Sequence, residues 1–218
     1  MKRGKFMDSK TLASYIDHTL LKADATEDEI LKICQEADEF GFKSVCVNPY
    51  WVPFARNHTK AKVCSVIGFP LGAQPVELKI REAAYCLQNG ADEIDMVINL
   101  SYPKSGDFTA LLAEISQIVV ASSPAIVKVI LETTLLSKSE KIEATKTAVK
   151  AGAHFVKTST GFNGGATKED VILLKETVKD QCLIKASGGI RTKEDALNFI
   201  SLGANRIGTS SGVKIVCP

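Results

Sequence analysis

The sequence predicts an α/β protein of the (β/α)8 TIM barrel type, with parallel strands, as a single domain over residues 1–218. Eight short segments rich in valine and isoleucine alternate with amphipathic segments, and a parallel sheet of such strands must be covered by helices. At 90–92, 152–154 and 203–205 a Gly-Ala pair ends a helix and leads into an apolar strand. Eight such units in 218 residues fit a compact barrel. An open, doubly wound sheet is the alternative, although no GxGxxG sequence follows the first strand.

The first half of the chain contains four predicted strands and the helices between them. Residues 1–7 are expected to form a flexible tail, and a short helix is predicted over 8–15. Thr26 and Glu29 have the spacing of a capping box, which begins a helix that Gly41 ends. The strands are predicted at 15–21, 43–48, 62–68 and 93–99, and the other helices at 52–57 and 75–89.

The second half of the chain repeats this alternation. Strands are predicted at 126–132, 154–162, 183–189 and 205–211, and helices at 108–121, at 139–150 and after caps at Thr167 and Thr192. Residues 213–218 are too few for a full final helix, so we expect an abbreviated C-terminus. The short N-terminal helix is then expected to cover one end of the barrel.

The composition argues against several classes of partner. The net charge is +2, without runs of like charge, so neither nucleic acid nor an anionic membrane is expected as the main partner. The first ten residues lack the apolar core of a signal peptide, and no apolar run approaches membrane-spanning length. The six cysteines lack CxxC spacing and the three histidines are not spaced as ligands. We therefore expect buried thiols in a cytoplasmic protein, and neither disulfides nor a metal site.

Alternation along the strands brings charged side chains to the barrel interior. In a barrel, every second side chain of a strand points inward, and functional groups gather at the C-terminal ends of the strands. On each strand, the residues immediately before and after the charged one are apolar or small and are expected to face the helices. This parity places Asp95, Lys157 and Lys185 on the inner wall. Lys128 joins them if its register agrees.

Two inward lysines on adjacent strands predict amine chemistry. Their side chains are expected roughly 5 to 8 Å apart, where each disfavours protonation of the other. A neutral amine attacks an aldehyde or ketone to form a Schiff base, and the second lysine with Asp95 can then move protons through a water molecule. The alternative is a structural ion pair, in which Asp95 neutralises one of the lysines.

Glycines and hydroxyls at the ends of the last two strands predict a phosphate site. Backbone N–H groups can approach a ligand closely at glycine, and serine adds hydroxyl donors. Ordinary turns are the alternative explanation, although the two segments together, at the last two strands, are more specific for phosphate than either one alone. The candidate residues are Gly188, Gly189, Gly208, Ser210 and Ser211, with Thr158 on the polar border of the site.

Three weaker candidates remain. Asp17 on the first strand is a candidate to hold a substrate hydroxyl, although Asp-His-Thr is also typical of a turn. Cys46 on the second strand is a candidate to face the site, or else a buried inert thiol. His154 begins a strand and is expected to be structural.

Taken together, these motifs resemble the deoxyribose-phosphate aldolases, which are class I, Schiff-base aldolases. The resemblance covers nearly the whole chain, and the Lys157-Thr158-Ser159-Thr160-Gly161 stretch with a second lysine before Gly188-Gly189 is highly specific in combination. The other matching segments are 15–21, 45–49, 66–70, 93–99, 184–191 and 208–211.

The resemblance implies reversible aldol cleavage of 2-deoxy-D-ribose 5-phosphate to D-glyceraldehyde 3-phosphate and acetaldehyde. It makes Lys157 the Schiff-base lysine, and Lys185 with Asp95 the proton-relay pair. It implies no cofactor, a role in deoxyribonucleotide breakdown, and a homodimer or homotetramer.

The chain departs from the family pattern at Phe162. Some members carry a lysine directly after Thr-Ser-Thr-Gly, and without it phosphate binding rests on backbone and hydroxyl donors. Two other hypotheses remain open. One is a Schiff-base aldolase for a different sugar phosphate, and the other is a catalytically silent barrel that binds a sugar phosphate, although binding alone does not require Asp95 and Lys185.

Overall fold

The computed structural model describes residues 7–217 and contains a closed barrel of eight parallel strands in sequence order. Each strand pairs with the next, and β8 pairs with β1 to close the barrel. This confirms the predicted (β/α)8 TIM barrel and excludes the open sheet. The strands are β1 (Ile16–Leu20), β2 (Ser44–Val47), β3 (Lys62–Ile67), β4 (Glu93–Val97), β5 (Ile126–Ile130), β6 (Phe155–Lys157), β7 (Leu183–Ser187) and β8 (Arg206–Thr209).

Helices alternate with the strands around the barrel. They are α1 (Ser9–Ala13), α2 (Glu27–Phe40), α3 (Val52–His58), α4 (Val76–Gln88), α5 (Ser101–Ser105), α6 (Phe108–Ser122), α7 (Lys138–Lys150), α8 (Lys168–Val178), α9 (Lys193–Ser201) and α10 (Gly212–Val216). The capping box of Thr26 and Glu29 is present, and Gly41 ends α2 with a left-handed φ of 70°. The short α5 was not predicted from the sequence.

The two ends of the chain agree with the sequence where the structure describes them. Residues 1–6 of the predicted tail lie outside the described residues. Asp8 caps α1 by accepting a hydrogen bond from Thr11 N at 2.7 Å. The Ser9 hydroxyl donates to Val216 O at 2.8 Å, which fastens α1 to the short C-terminal helix α10.

All eight strands end one to five residues earlier than the sequence predicts, and the ends of β6 and β7 shape the loops at the C-terminal face. β6 stops at Lys157, whereas the prediction extended to 162, because the chain then leaves the sheet and Gly161 adopts a φ of 92°. β7 stops at Ser187, since Gly188 and Gly189 both have positive φ. Both strands therefore end in loops at the C-terminal face of the barrel.

Apolar and charged side chains occupy different layers. Outward-facing strand residues such as Ile94, Val129 and Val156 are fully buried against the surrounding helices and belong to the main apolar core. The barrel interior instead holds a cluster of charged side chains. We call it the interior cluster, and its members are Asp17, Glu93, Asp95, Lys128, Lys157, Lys185 and Arg206. Within residues 7–217, no helix is long and apolar enough to cross a membrane.

A buried ion pair links α4 to α6 outside the barrel. The Lys79 ammonium binds Glu114 Oε1 at 2.6 Å and donates to Val97 O at 2.8 Å. The second oxygen of Glu114 accepts from Asn99 N at 3.0 Å. The pair thus ties two helices to the end of β4.

Breaking this pair from one side is expected to destabilise the fold strongly. Glu114→Ala leaves the Lys79 ammonium buried without a counter-charge, so the free energy of unfolding should fall by about 3–5 kcal/mol. The measurement is urea unfolding followed by circular dichroism. The double variant Lys79→Met/Glu114→Leu removes both charges and is the control. It should lose clearly less stability, and an equal loss would contradict the charge argument.

Candidate active site

Strand register brings the predicted residues together. Lys157 lies directly opposite Lys185 on β7, and Lys128 lies opposite Asp95 on β4. Lys185 in turn lies opposite Arg206 on β8. Because residues opposite each other in a sheet point to the same face, these side chains all enter the barrel interior. The register of Lys128 therefore agrees with that of Asp95.

The Asp95 carboxylate is at the centre of the interior cluster. Its Oδ2 accepts from Lys157 Nζ at 2.8 Å and from Lys185 Nζ at 2.7 Å. Its Oδ1 accepts from Lys128 Nζ at 2.7 Å and from the Cys64 thiol at 3.1 Å. Burial opposes ionisation of this carboxyl, but the three ammonium groups outweigh burial and hold the pKa of Asp95 well below its usual range.

Asp17 belongs to the same cluster. Its Oδ2 lies 2.6 Å from Lys185 Nζ, and its Oδ1 accepts from the Ser44 hydroxyl at 2.7 Å and from the Arg206 guanidinium. Burial opposes its ionisation, yet Lys185 and Arg206 hold the pKa of Asp17 below its usual range. Asp17 is fully buried and does not border the cavity described below.

Lys185 and Lys128 are strongly held as cations. Burial disfavours the ammonium of Lys185, but the carboxylates of Asp17 and Asp95 outweigh it and raise the pKa of Lys185 above its usual range. For Lys128, burial is likewise outweighed by Asp95 and its other anionic neighbours, so its pKa is also raised. Glu93 completes this part of the cluster, at 2.6 Å from Lys128 Nζ and 2.8 Å from Arg206 Nη2.

A cavity of about 280 Å³ opens above the interior cluster at the C-terminal face of the barrel. Of the three lysines in the cluster, Lys157 borders this cavity, whereas Lys128 and Lys185 lie behind it. The cavity wall includes four of the predicted phosphate residues, which are Gly188, Gly189, Gly208 and Ser210. The Lys157 side chain and a glycine-rich wall therefore face the same small volume.

Two predicted residues lie elsewhere. Thr158 is fully buried beside the sheet, where its hydroxyl donates to Ser187 O at 3.1 Å and accepts from Ser187 N. Ser211 borders a neighbouring groove between α2 and α10 rather than the cavity.

Gly208 has a steric role in addition to its place on the cavity wall. A Cβ at this position would lie 2.9 Å from Ser187 Cβ and 3.0 Å from Lys185 Cε. The missing side chain therefore leaves the space through which Lys185 reaches Asp95.

Two cationic residues of the cavity wall were not predicted to be site residues. Lys22 and Arg191 bring two cations to it, and Thr160 adds a hydroxyl. Phe162 also borders the cavity and stacks edge-on against Phe69, with ring centroids 5.3 Å apart. A sequence signal existed for Arg191, which follows the glycine pair by two positions, whereas Lys22 lies in an ordinary polar loop.

The cysteines and histidines take other positions. Cys46, Cys64 and Asp95 have potential ligand atoms within 4.8 Å of one another. The Lys128 ammonium binds both Cys64 Sγ and Asp95 Oδ1, so a cation there would meet a buried positive charge. His154 Nδ1 accepts a hydrogen bond from Val127 N at 3.0 Å and thereby connects the beginning of β6 to the beginning of β5.

Comparisons with known proteins point to one family. A family model described as DeoC/LacD family aldolase matches residues 11–216. The deoxyribose-phosphate aldolase of Carboxydothermus hydrogenoformans is 54% identical over 218 residues, covering 96% of each chain. That of Thermococcus kodakarensis is 52% identical, covering 96% of this chain and 97% of its own.

Solved structures agree with these relatives. The deoxyribose phosphate aldolase from Aeropyrum pernix, described as a unique tetrameric structure, has a TM-score of 0.89 and 40% identity, covering 96% of this chain and 91% of that one. A putative deoxyribose-phosphate aldolase from Coccidioides immitis has a TM-score of 0.94 and 41% identity, covering 96% of this chain and 86% of that one.

The depressed pKa values of Asp17 and Asp95 predict an acid-labile fold. An aspartate in an unfolded chain ionises near pH ~3.9, and the folded protein binds these protons less readily. The stabilisation is therefore fully present above about pH 5 and is lost as the pH falls below about 4. We therefore expect the urea concentration at the unfolding midpoint to fall steeply as the pH is lowered below about 4.

Asp95→Asn removes one of these titrating groups. This variant should be less stable than the wild type at neutral pH, yet it should lose less stability on acidification. Equal slopes of stability against pH in the two proteins would contradict the assignment, and Asp17→Asn provides a second test if Asp95→Asn does not fold.

Proposed function

Since this chain belongs to the DeoC/LacD family of aldolases, we propose that it is a deoxyribose-phosphate aldolase, a carbon–carbon lyase. It cleaves 2-deoxy-D-ribose 5-phosphate reversibly to D-glyceraldehyde 3-phosphate and acetaldehyde, through a Schiff base on Lys157. The observation that carries the proposal is the position of Lys157, which borders the cavity while its ammonium contacts Asp95.

Charge balance within the interior cluster supports Lys157 as the nucleophile. The cluster contains three carboxylates and four basic side chains, so it carries one excess positive charge when all are ionised and becomes electrically neutral when one lysine gives up its proton. Within residues 7–217, Lys157 has one carboxylate partner, Lys185 has two and Lys128 has three. Loss of the proton from Lys157 therefore sacrifices the fewest ion pairs.

The proposed reaction begins when the neutral amine of Lys157 attacks the aldehyde carbon of the open-chain sugar. Uptake of one proton and loss of water give an iminium ion, whose positive charge lies beside Asp95. The bond between C2 and C3 then breaks, and its electron pair neutralises the iminium to give an enamine. The C3 hydroxyl passes its proton to the relay of Lys185 and Asp95, and C3 becomes the aldehyde carbon of D-glyceraldehyde 3-phosphate. Protonation of the enamine at C2 and hydrolysis release acetaldehyde.

Lys185 and Asp95 are proposed to move the protons in this sequence. Both lysine ammonium groups contact the same oxygen of Asp95, which gives a short path for a proton between them. Because its pKa is held low, Asp95 is a weak base, so it serves mainly to orient Lys185 and to stabilise the iminium.

The phosphate group of the substrate is proposed to lie against the ends of β7 and β8. Gly188, Gly189 and Ser210 offer backbone and hydroxyl donors there. Lys22 and Arg191 bring positive charge to the same cavity, and we propose that they bind the phosphate in place of the lysine that some family members carry at position 162.

The proposed setting follows from the family. The reaction belongs to deoxyribonucleotide catabolism, and we place the enzyme in the cytoplasm, where the six free thiols of the described chain stay reduced. A homodimer or homotetramer is proposed, since the Aeropyrum pernix relative is described as tetrameric.

Borohydride trapping tests the nucleophile. In the presence of acetaldehyde, reduction should attach an ethyl group to Lys157 of the wild type, as identified by peptide mass analysis. Lys157→Met should show neither labelling nor cleavage of 2-deoxyribose 5-phosphate. An adduct on Lys185 only, or none at all, would refute the proposal. Tight substrate binding without cleavage in the wild type would instead favour the silent binding barrel.

Substitution of Lys185 tests the proton relay. Lys185→Leu should lower kcat by roughly 10²- to 10⁴-fold, since it removes a proton donor from the side of Asp95. The matched variant Lys185→Arg keeps the positive charge but gives up its proton far less readily, so it should restore stability without restoring kcat. Activity of Lys185→Arg close to that of the wild type would show that charge alone suffices.

A further inference from the structure

Glu132 is a buried carboxylate to which the proposed mechanism gives no role. It follows β5 by two residues, is fully buried, and has a left-handed backbone with φ 54° and ψ 61°. Non-glycine residues rarely adopt this conformation, and they keep it where the surrounding contacts require it. For Glu132, these contacts are the hydrogen bonds that its side chain accepts.

All three donors to Glu132 come from the loop between β6 and α8. Thr160 N donates to Oε1 at 3.1 Å, and the Thr160 hydroxyl and Asn163 Nδ2 donate to Oε2, the latter at 3.2 Å. Among residues 7–217, no lysine, arginine or histidine forms an ion pair with this carboxylate. The negative charge of Glu132 is thus satisfied by loop donors alone.

Thr160 links Glu132 to the cavity wall by hydrogen bonds. Its hydroxyl oxygen accepts from Phe162 N at 3.1 Å, and Thr160, Gly161 and Phe162 all border the cavity beside Lys157. Glu132 itself does not border the cavity. The conformation of this part of the wall therefore depends on a carboxylate that lies behind it.

The other end of the loop packs against the glycine pair after β7. Ala166 N donates to Ser187 O at 3.0 Å and to Gly188 O at 3.1 Å. A Cβ on Gly165 would lie only 2.4 Å from Gly188 O, so the two backbones are in direct contact. The loop consequently spans from Glu132 to the glycines proposed to receive phosphate.

We propose that Glu132 is a positioning residue that sets the preference for a phosphorylated substrate, by holding the β6–α8 loop across the phosphate end of the cavity. This inference rests on the proposed function. A carboxylate only accepts hydrogen bonds, so it satisfies all three loop donors at once, whereas an amide would turn an N–H group toward a donor. A wall fixed in advance binds its ligand without the cost of ordering the loop.

The test compares two substrates that differ only in the phosphate group. The ratio of kcat/KM for 2-deoxyribose 5-phosphate to that for 2-deoxyribose is measured in the wild type, Glu132→Gln, Thr160→Val and Thr160→Ser. Glu132→Gln and Thr160→Val should lower the ratio at least tenfold, through a higher KM for the phosphorylated sugar. Thr160→Ser retains the hydroxyl and should recover most of the ratio.

Two further measurements separate positioning from general damage. Borohydride labelling of Lys157 by acetaldehyde, which has no phosphate, should be retained in Glu132→Gln. The control Asp92→Asn removes a carboxylate that binds Arg56 and Lys62 at the opposite end of the barrel. This control should lower the stability of the protein without changing the ratio of the kcat/KM values for the two sugars.

The outcomes distinguish this inference from the proposed function. If the wild type cleaves the phosphorylated sugar and the ratio is unchanged in both Glu132→Gln and Thr160→Val, the inference is overturned. If the wild type cleaves neither sugar, the proposed function fails, and binding of inorganic phosphate by calorimetry decides the inference. Phosphate affinity at least tenfold weaker in Glu132→Gln supports it, and unchanged affinity overturns it. If Glu132→Gln does not fold, the Thr160 pair gives the same decision.

Discussion

The contact between the Asp95 carboxylate and three buried lysines constrains the rest of the barrel. An isolated charge is costly to bury, so each member of the interior cluster requires the others. Lys128 reaches Asp95 from the neighbouring strand, whereas Lys157 and Lys185 reach it across the barrel from β6 and β7. These contacts exist only when the barrel is closed with the observed register. Closure of the fold and assembly of the site are therefore the same event.

The same constraint changes the electrostatic explanation of the site. From the sequence, we expected Lys157 and Lys185 to act on each other by charge repulsion. In the structure both ammonium groups bind Oδ2 of Asp95, so attraction to that oxygen opposes their repulsion. What distinguishes Lys157 is its smaller number of carboxylate partners and its place on the cavity wall.

Side-chain parity correctly predicted that Asp95, Lys157 and Lys185 enter the barrel interior, because parity depends only on local strand geometry. The same rule, applied two residues before Asp95, would also have placed Glu93 in the interior. Arg206 was missed because it begins its strand, where a charged residue is usually exposed. The loops were less predictable, since their shape depends on contacts between distant residues. Thr160 and Glu132 are 28 positions apart, and the sequence around Thr160 gives no sign of that partner.

The three lysines of the interior cluster differ in how many carboxylates they contact. Lys128 lies opposite Phe155, two residues before Lys157 on β6, and is surrounded by three carboxylates. Such a lysine stays charged and serves to hold Asp95 ionised. Lys185 and Lys157 lie opposite each other on β7 and β6, and they have two and one carboxylate partners respectively. The amine with the fewest partners is thereby the one that meets the cavity. Lysines of identical chemistry therefore have different surroundings, because the barrel gives each of them a different number of carboxylate partners.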